Sequence, residues 1–335
     1  MTYAYLEQRM AQNYIDMLPP FVPDKNAPVS AGDQERFYNL VNNLYRLAYD
    51  EPLLFVSALN ADDAFPNRFN KKSYGKPQLQ IEMKKFNKSV ESLLQNMFFL
   101  GRGDDVKLNK RQQIILSKLG IDGAGLPPAW VWMATRDGAH MAAFSYCLFD
   151  QNHPYTIDIY ARLLGESSFK KLTDWMLAQG YKRYDIYDVA ASDCRLSLTV
   201  ANPKWSDEAP NGGFEYRMKH TGISARLDPY IKNPAVFGLC IPNGLMGKLI
   251  ESFDAMDARL KSFFIKQTKK CNDCNYCIQT DTTGARPKAL IPVTHDGKNY
   301  GLCTYFPGYY YCWTRIDDGL AEVLINMLSF MDTFV

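Results

Sequence analysis

The sequence is poor in the groups that most enzymes use to move protons and in the charge that polyanion binders use. Only 4 histidines occur in 335 residues, so the commonest general acid and base is scarce. Lys plus Arg number 38 against 36 for Asp plus Glu, a balance of +2. That near-neutrality removes the global field behind non-specific nucleic-acid binding, and no nucleic-acid partner is expected. No run approaches the roughly 18 uncharged apolar residues of a membrane span. The opening, Met1 to Asp16, interleaves Glu7, Arg9 and Asp16 among its apolar residues and so lacks a signal-peptide hydrophobic region. A cytoplasmic protein with no membrane partner is expected. No H-E-x-x-H, G-x-S-x-G or Walker A motif occurs, and Gly101-Arg102-Gly103 shares only two glycines with the dinucleotide fingerprint. No catalytic residue is assigned. Disorder is excluded as well, because 47% hydrophobic and 22% charged residues are ordinary globular values.

Cysteine is what the chain has in one place. Of 8 cysteines, Cys147, Cys194 and Cys240 are scattered, whereas Cys271, Cys274, Cys277, Cys303 and Cys312 crowd the last quarter. A secreted disulfide scaffold is smaller and more evenly stapled; in a reducing compartment such crowding reads as a metal site. Tetrahedral zinc needs its sulfurs roughly 3.8 Å apart, and a turn with two intervening residues lets two thiolates meet at one centre. The overlapping C-x-x-C pair from Cys271 to Cys277 supplies three ligands. Residues Lys288 to Cys303 then have the pattern of a hairpin turning at Asp296-Gly297, which carries Cys303 back toward the start of the module. Cys271, Cys274, Cys277 and Cys303 are the expected ligands of a structural zinc, with Cys312 the competitor for the fourth place. Lys269, Lys270, Arg286 and Lys288 lie close in sequence and offset the net −2 of a four-thiolate zinc. A ferredoxin-type cluster would continue the cysteine run as x-x-x-C-P, but Asp281 and Thr282 stand there.

Periodicity divides the rest. Leu18-Pro19-Pro20 must end an opening helix from Tyr3 to Met17. Phe37, Leu40, Val41, Leu44 and Leu47 mark a second helix with Asp33 as N-cap, and Phe86, Val90, Leu93, Leu94 and Met97 a third, ending at Gly101. A short helix spans Asn109 to Leu119. After Asp122 to Pro128 the spacing changes to two: Trp130, Trp132 and Ala134, then Phe144, Tyr146 and Leu148, are expected to form a hairpin turning at Asp137-Gly138. A helix with Phe169, Leu172, Trp175 and Met176 stops at Gly180. Strands are expected at Tyr181 to Val189, Arg195 to Ala201, Phe214 to Lys219 and Ala235 to Ile241, followed by one long helix from Leu245 to Lys266. A last helix, from Asp317 to Met331, shows a stripe of Leu320, Val323, Leu324, Met327, Leu328 and Met331 that is expected to dock on the central region.

Together these features describe an α+β protein. A helical N-terminal segment (1–125) precedes a central, mostly antiparallel sheet with helices (126–268) and a zinc-binding hairpin module closed by a helix (269–335). The expected function is a zinc-binding protein whose central domain binds a small molecule or a protein partner. The alternative is an enzyme acting on a small aromatic or apolar substrate at the central sheet, where Trp130, Trp132, Phe144, Tyr146, Tyr184, Phe214 and Tyr216 would line a concave face or fill a core. His140, His153, His220 and His295 are expected in capping or exposed roles, His295 also as a spare zinc ligand.

Overall fold

The computed structural model describes residues 3–61, 77–121, 125–150, 157–187, 196–208, 222–227, 235–241, 243–268, 290–303 and 310–335. Helices and small β-sheets are both present, an α+β composition. The chain forms two compact units. One comprises Met1–Ile159, Tyr187–Leu196 and Leu227–Ala235, the other Tyr160–Ile186, Ser197–Arg226 and Val236–Val335.

The first unit is built on helix–helix contacts. Helix α1 (Leu6–Met17) buries Leu6, Met10, Tyr14 and Met17, and gives way to Leu18-Pro19-Pro20. It packs along α2 (Ala31–Asp50), where Tyr14 stacks on Tyr45 at 5.2 Å. The N-cap of α2 is Ser30, not Asp33: the Ser30 Oγ accepts from the Asp33 N–H at 3.1 Å and donates to the Asp33 carboxylate at 2.7 Å. Asp33 sits in the first turn, where its charge suits the helix dipole. Helix α3 (Pro77–Gly101) buries Phe86, Val90, Leu93, Leu94 and Met97 as one stripe. At its end a Cβ on Gly101 would meet Trp130 and Ala134 at 2.7–3.0 Å, so only glycine permits the approach. Helix α4 (Lys110–Lys118) starts with a reciprocal capping box between Asn109 and Gln112.

The expected hairpin over Trp130 to Leu148 is not formed. Those residues make helix α5 (Pro128–Thr135) and the short α6 (Met141–Ser145). Pro128 occupies the first helical turn, where its missing N–H costs nothing. Ala129, Trp130, Met133 and Ala134 are buried while Val131 is 39% exposed, a helical period. In a run with no polar residue, alternation of large and larger apolar side chains does not discriminate between the two periods. The turn at Gly138 (φ 65) exists, but it joins two helices.

Helix α7 (Ile157–Leu164) leads into the second unit, and α8 (Glu166–Ala178) follows after a single residue, Gly165. Strands β1 (Lys182–Tyr187), β2 (Leu196–Ala201), β3 (Gly222–Leu227), β4 (Ala235–Cys240) and β7 (Tyr310–Trp313) lie in that order in one sheet. β2 pairs antiparallel with β3, and β4 with β7, Phe237 opposite Trp313. Strand β3 was not evident from the sequence; the strand expected at Phe214 to Lys219 lies outside the described residues. The expected long helix is interrupted. It forms α9 (Asn243–Glu251), a 3-10 turn (Phe253–Ala255) and α10 (Ala258–Gln267), the last capped by Asp257, which accepts from the Leu260 N–H at 2.8 Å. Of the expected stripe Leu249, Phe253, Met256, Leu260 and Phe263, the first four are buried through the break, while Phe263 is half-buried and Phe264 takes its place in the core. Strands β5 (Leu290–His295) and β6 (Lys298–Cys303) form a separate antiparallel hairpin. Asp296 (φ 49) and Gly297 (φ 69) adopt the two left-handed positions that a tight hairpin turn demands. The last helix, α11 (Asp318–Met331), buries Val323, Leu324, Met327, Leu328 and Met331 and packs on α8 and α10; Leu320 is only half-buried.

Candidate functional site

Of the four expected zinc ligands, Cys271, Cys274 and Cys277 lie outside the described residues. Cys303 closes strand β6, its backbone paired with Leu290 at the open end of the hairpin. Cys312 belongs to the other sheet, where its register partner is Gly238. The chain enters the cysteine run from a fixed point. Thr268, at the end of α10, shares a buried 2.6 Å hydrogen bond with the Tyr311 hydroxyl, and burial pushes that phenol well above its ordinary pKa. Leu290 is the fixed point at the exit. Among the described residues, no group of three or more His, Cys, Asp or Glu is set to hold a metal ion. His295 is removed as a spare ligand alongside Cys303. Cys303 pairs with Leu290 while His295 pairs with Lys298 at the turn, and five residues of strand separate those ends by about 17 Å.

His295 does meet Ser262 and Asp296. The Ser262 Oγ is 3.2 Å from His295 Nε2 and donates to the Ala258 carbonyl at 2.9 Å. The Asp296 carboxylate is 3.4 Å from the same Nε2, whereas a nucleophile–base relay needs its carboxylate on Nδ1 and a free lone pair on Nε2. This trio clasps the hairpin turn to α10. His140 caps α6, its Nδ1 accepting from the Ala142 N–H at 3.1 Å, in the capping role expected of it. His153 and His220 lie outside the described residues.

Of the aromatic residues expected to line a concave sheet, Tyr184 lies on β1, whereas Trp130, Trp132, Phe144 and Tyr146 belong to the helical segment. Trp130, Phe144 and Tyr146 are buried in the helical core, Trp130 donating to the Met97 carbonyl at 2.6 Å and Phe144 lying 4.9 Å from Phe37. Trp132 stacks on Phe149 at 6.3 Å, with the Arg136 guanidinium 5.5 Å above its ring. Phe214 and Tyr216 lie outside the described residues. Cys147 is buried with φ 52, and desolvation pushes its thiol up, away from the reactive thiolate. A surface hollow of about 530 Å³ is lined by Lys110, Gln113, Ile114, Ser117 and Lys118, all from α4.

One polar cluster escaped the sequence reading. Asp332, which follows α11, accepts from the Tyr181 hydroxyl at 2.9 and 3.0 Å, from Asn202 Nδ2 at 2.8 Å and from Trp205 Nε1 at 3.1 Å. Burial first, then the adjacent carboxylate, pushes the Tyr181 phenol far above its usual range, so it stays a donor. A signal was available: a carboxylate at a helix C-terminus faces the negative end of the dipole and needs donors from elsewhere. On the surface of the same unit, Glu322 pairs with Arg259 at 3.1 Å and Lys171 at 3.4 Å, and their hydrogen bonds hold its carboxyl below the usual range.

Among the described residues, no helix is long and apolar enough to cross a membrane. The chain matches no protein-family model, no curated protein and no solved structure.

Proposed function

We propose that this chain is a zinc-binding protein of the cytoplasm in which Cys271, Cys274, Cys277 and Cys303 hold one structural zinc, while the central α+β region takes a small molecule or a protein partner and no nucleic acid. The observation that carries the zinc reading is the pairing of a C-x-x-C-x-x-C run with a hairpin whose last residue is a cysteine. Support comes from the Asp296-Gly297 turn and from the pairing of Leu290 with Cys303. Cys277 precedes Leu290 by 13 residues, a length of chain ample to bring it to the hairpin's open end. The register of Cys312 in the five-stranded sheet favours Cys303 over it as the fourth ligand. Four protein ligands close a structural site, so the metal supplies folding energy instead of a reactive water.

Limited proteolysis of the full chain tests the reading. Cys274→Ser, or wild type stripped by a strong chelator, becomes cleavable between residues 269 and 303 while fragments of the central region persist. Equal protection of the variant and wild type there contradicts it.

A further inference from the structure

Three buried donors in the second unit converge on one carboxylate. Tyr181, Asn202 and Trp205 are 3%, 7% and 0% exposed, and their hydroxyl, Nδ2 and Nε1 groups all reach Asp332 within 3.1 Å. Each donor is oriented by contacts that owe nothing to Asp332. The Asn202 Oδ1 accepts from the Lys204 N–H at 3.0 Å, which turns Nδ2 toward the cluster. The Trp205 N–H donates to the Asn202 carbonyl at 3.1 Å and opens the 3-10 helix Pro203–Glu208 around the indole. Tyr181 lies edge-on to Trp205 at 5.7 Å and 6.2 Å from Trp175. The donors come from the start of β1 and the segment after β2.

The acceptor comes from elsewhere and is held differently. Asp332 is only half-buried and opens a single 3-10 turn, Asp332–Phe334, whose neighbours Thr333 and Val335 are exposed. The C-terminal pole of α11 repels its charge. The donors hold the carboxylate itself; the rest of the turn is tied by Lys248 Nζ donating to the Phe334 carbonyl at 3.4 Å and by Phe334 lying edge-on to Phe330 at 5.2 Å, and one turn at a helix end is a low-cost element to lift.

The geometry points to a carboxylate-binding cradle made of Tyr181, Asn202 and Trp205, which Asp332 fills from within the chain as a displaceable plug. With the plug removed, the ligand it takes is a small monocarboxylate, bound by two charge-assisted N–H bonds and one from the phenol. The tether gives Asp332 a large effective concentration, so the wild type yields to free carboxylate only at high concentration.

Full-length Asp332→Ala, titrated with sodium formate against sodium chloride at equal ionic strength and against acetamide, tests this. The thermal midpoint and the indole N–H resonance of Trp205 are followed together. Formate raises the midpoint saturably and returns the resonance toward its wild-type position; chloride and acetamide do neither. Adding Trp205→Phe or Tyr181→Phe weakens the apparent formate affinity about tenfold or more, as loss of one hydrogen bond to a charge implies. If Asp332→Ala does not fold, Asp332→Asn, which fills the cradle with an uncharged amide, is displaced by formate and shows the same indole shift. Formate acting no differently from chloride, in whichever variant folds, overturns the proposal and leaves the cluster a static joint.

Discussion

The same substitution, Gly→Ala, is expected to act with opposite sign at two positions of the second unit. Gly165 joins α7 to α8 with φ 123 and ψ 96, and a Cβ there would fall on the carbonyl oxygen of Ile316. The obstacle is backbone, so no rotamer change relieves it. The Ile316 segment is also tied at both sides, its N–H donating to the Leu164 carbonyl at 2.6 Å and Asp318 accepting from Ser168 at 2.7 Å. A non-glycine residue in this region of φ and ψ costs about 1 to 3 kcal/mol. Displacing Ile316 adds the loss of one neutral hydrogen bond and one to a carboxylate, about 0.5–1.5 and 1.5–3 kcal/mol. Gly165→Ala is expected to destabilise by about 3 to 7.5 kcal/mol, a large share of an ordinary 5 to 15. Gly247, within α9, has no atom near the position of an added Cβ and an ordinary φ. Gly247→Ala is expected to stabilise by about 0.5 to 1 kcal/mol, because alanine loses less backbone entropy. Urea unfolding followed by far-ultraviolet circular dichroism, with slopes checked for equality, measures both. A Gly165→Ala loss under about 1 kcal/mol refutes the close approach of Ile316.

Other substitutions probe other links. Leu324 is fully buried on α11, which packs on α8 and α10, so Leu324→Ala should cost about 2 to 5 kcal/mol with metal content unchanged. A melt like that of the wild type contradicts the docking. Asn87 is fully buried in α3, and among the described residues neither its Nδ2 nor its Oδ1 has a hydrogen-bond partner. Asn87→Leu should stabilise by about 1 to 3 kcal/mol by removing unpaired polar atoms, and a loss in the same urea titration argues for a bound water or ligand at that point. The lowered carboxyl of Glu322 contributes stability above its unfolded-state pKa, and that contribution disappears as pH falls through the depressed folded-state value. Glu322→Gln should therefore flatten this part of the acid limb of the stability–pH curve, and 1 M salt should have the same effect in the wild type; an unchanged limb contradicts the pairing.

What was legible in the sequence was whatever one segment states by itself. The stripes of α2, α3 and α11 have polar residues between their apolar ones, so only a helical period fits, and those faces are buried. The Asp296-Gly297 turn names its own backbone conformation. Trp130 to Ala134 was misread because a run without a polar residue satisfies two periods equally, and Met141 to Leu148 has only Ser145 to mark a period. The break between α9 and α10 was hidden because Asp257 caps a helix whose apolar stripe continues through the break. The cradle was invisible for a different reason: Tyr181, Asn202, Trp205 and Asp332 are spread over more than a hundred residues, and each is unremarkable alone. The proposed zinc ligands are a separate case: they are read from spacing alone, and Cys271, Cys274 and Cys277 lie outside the described residues.

The central claim is a zinc held by Cys271, Cys274, Cys277 and Cys303, and the most direct test is elemental analysis of the purified full chain beside its Cys303→Ser and Cys312→Ser variants. One zinc per chain is expected in the wild type and in Cys312→Ser, and loss of zinc to a weak chelator in Cys303→Ser. A wild type without zinc, a wild type carrying iron in its place, or loss in Cys312→Ser with retention in Cys303→Ser would contradict it.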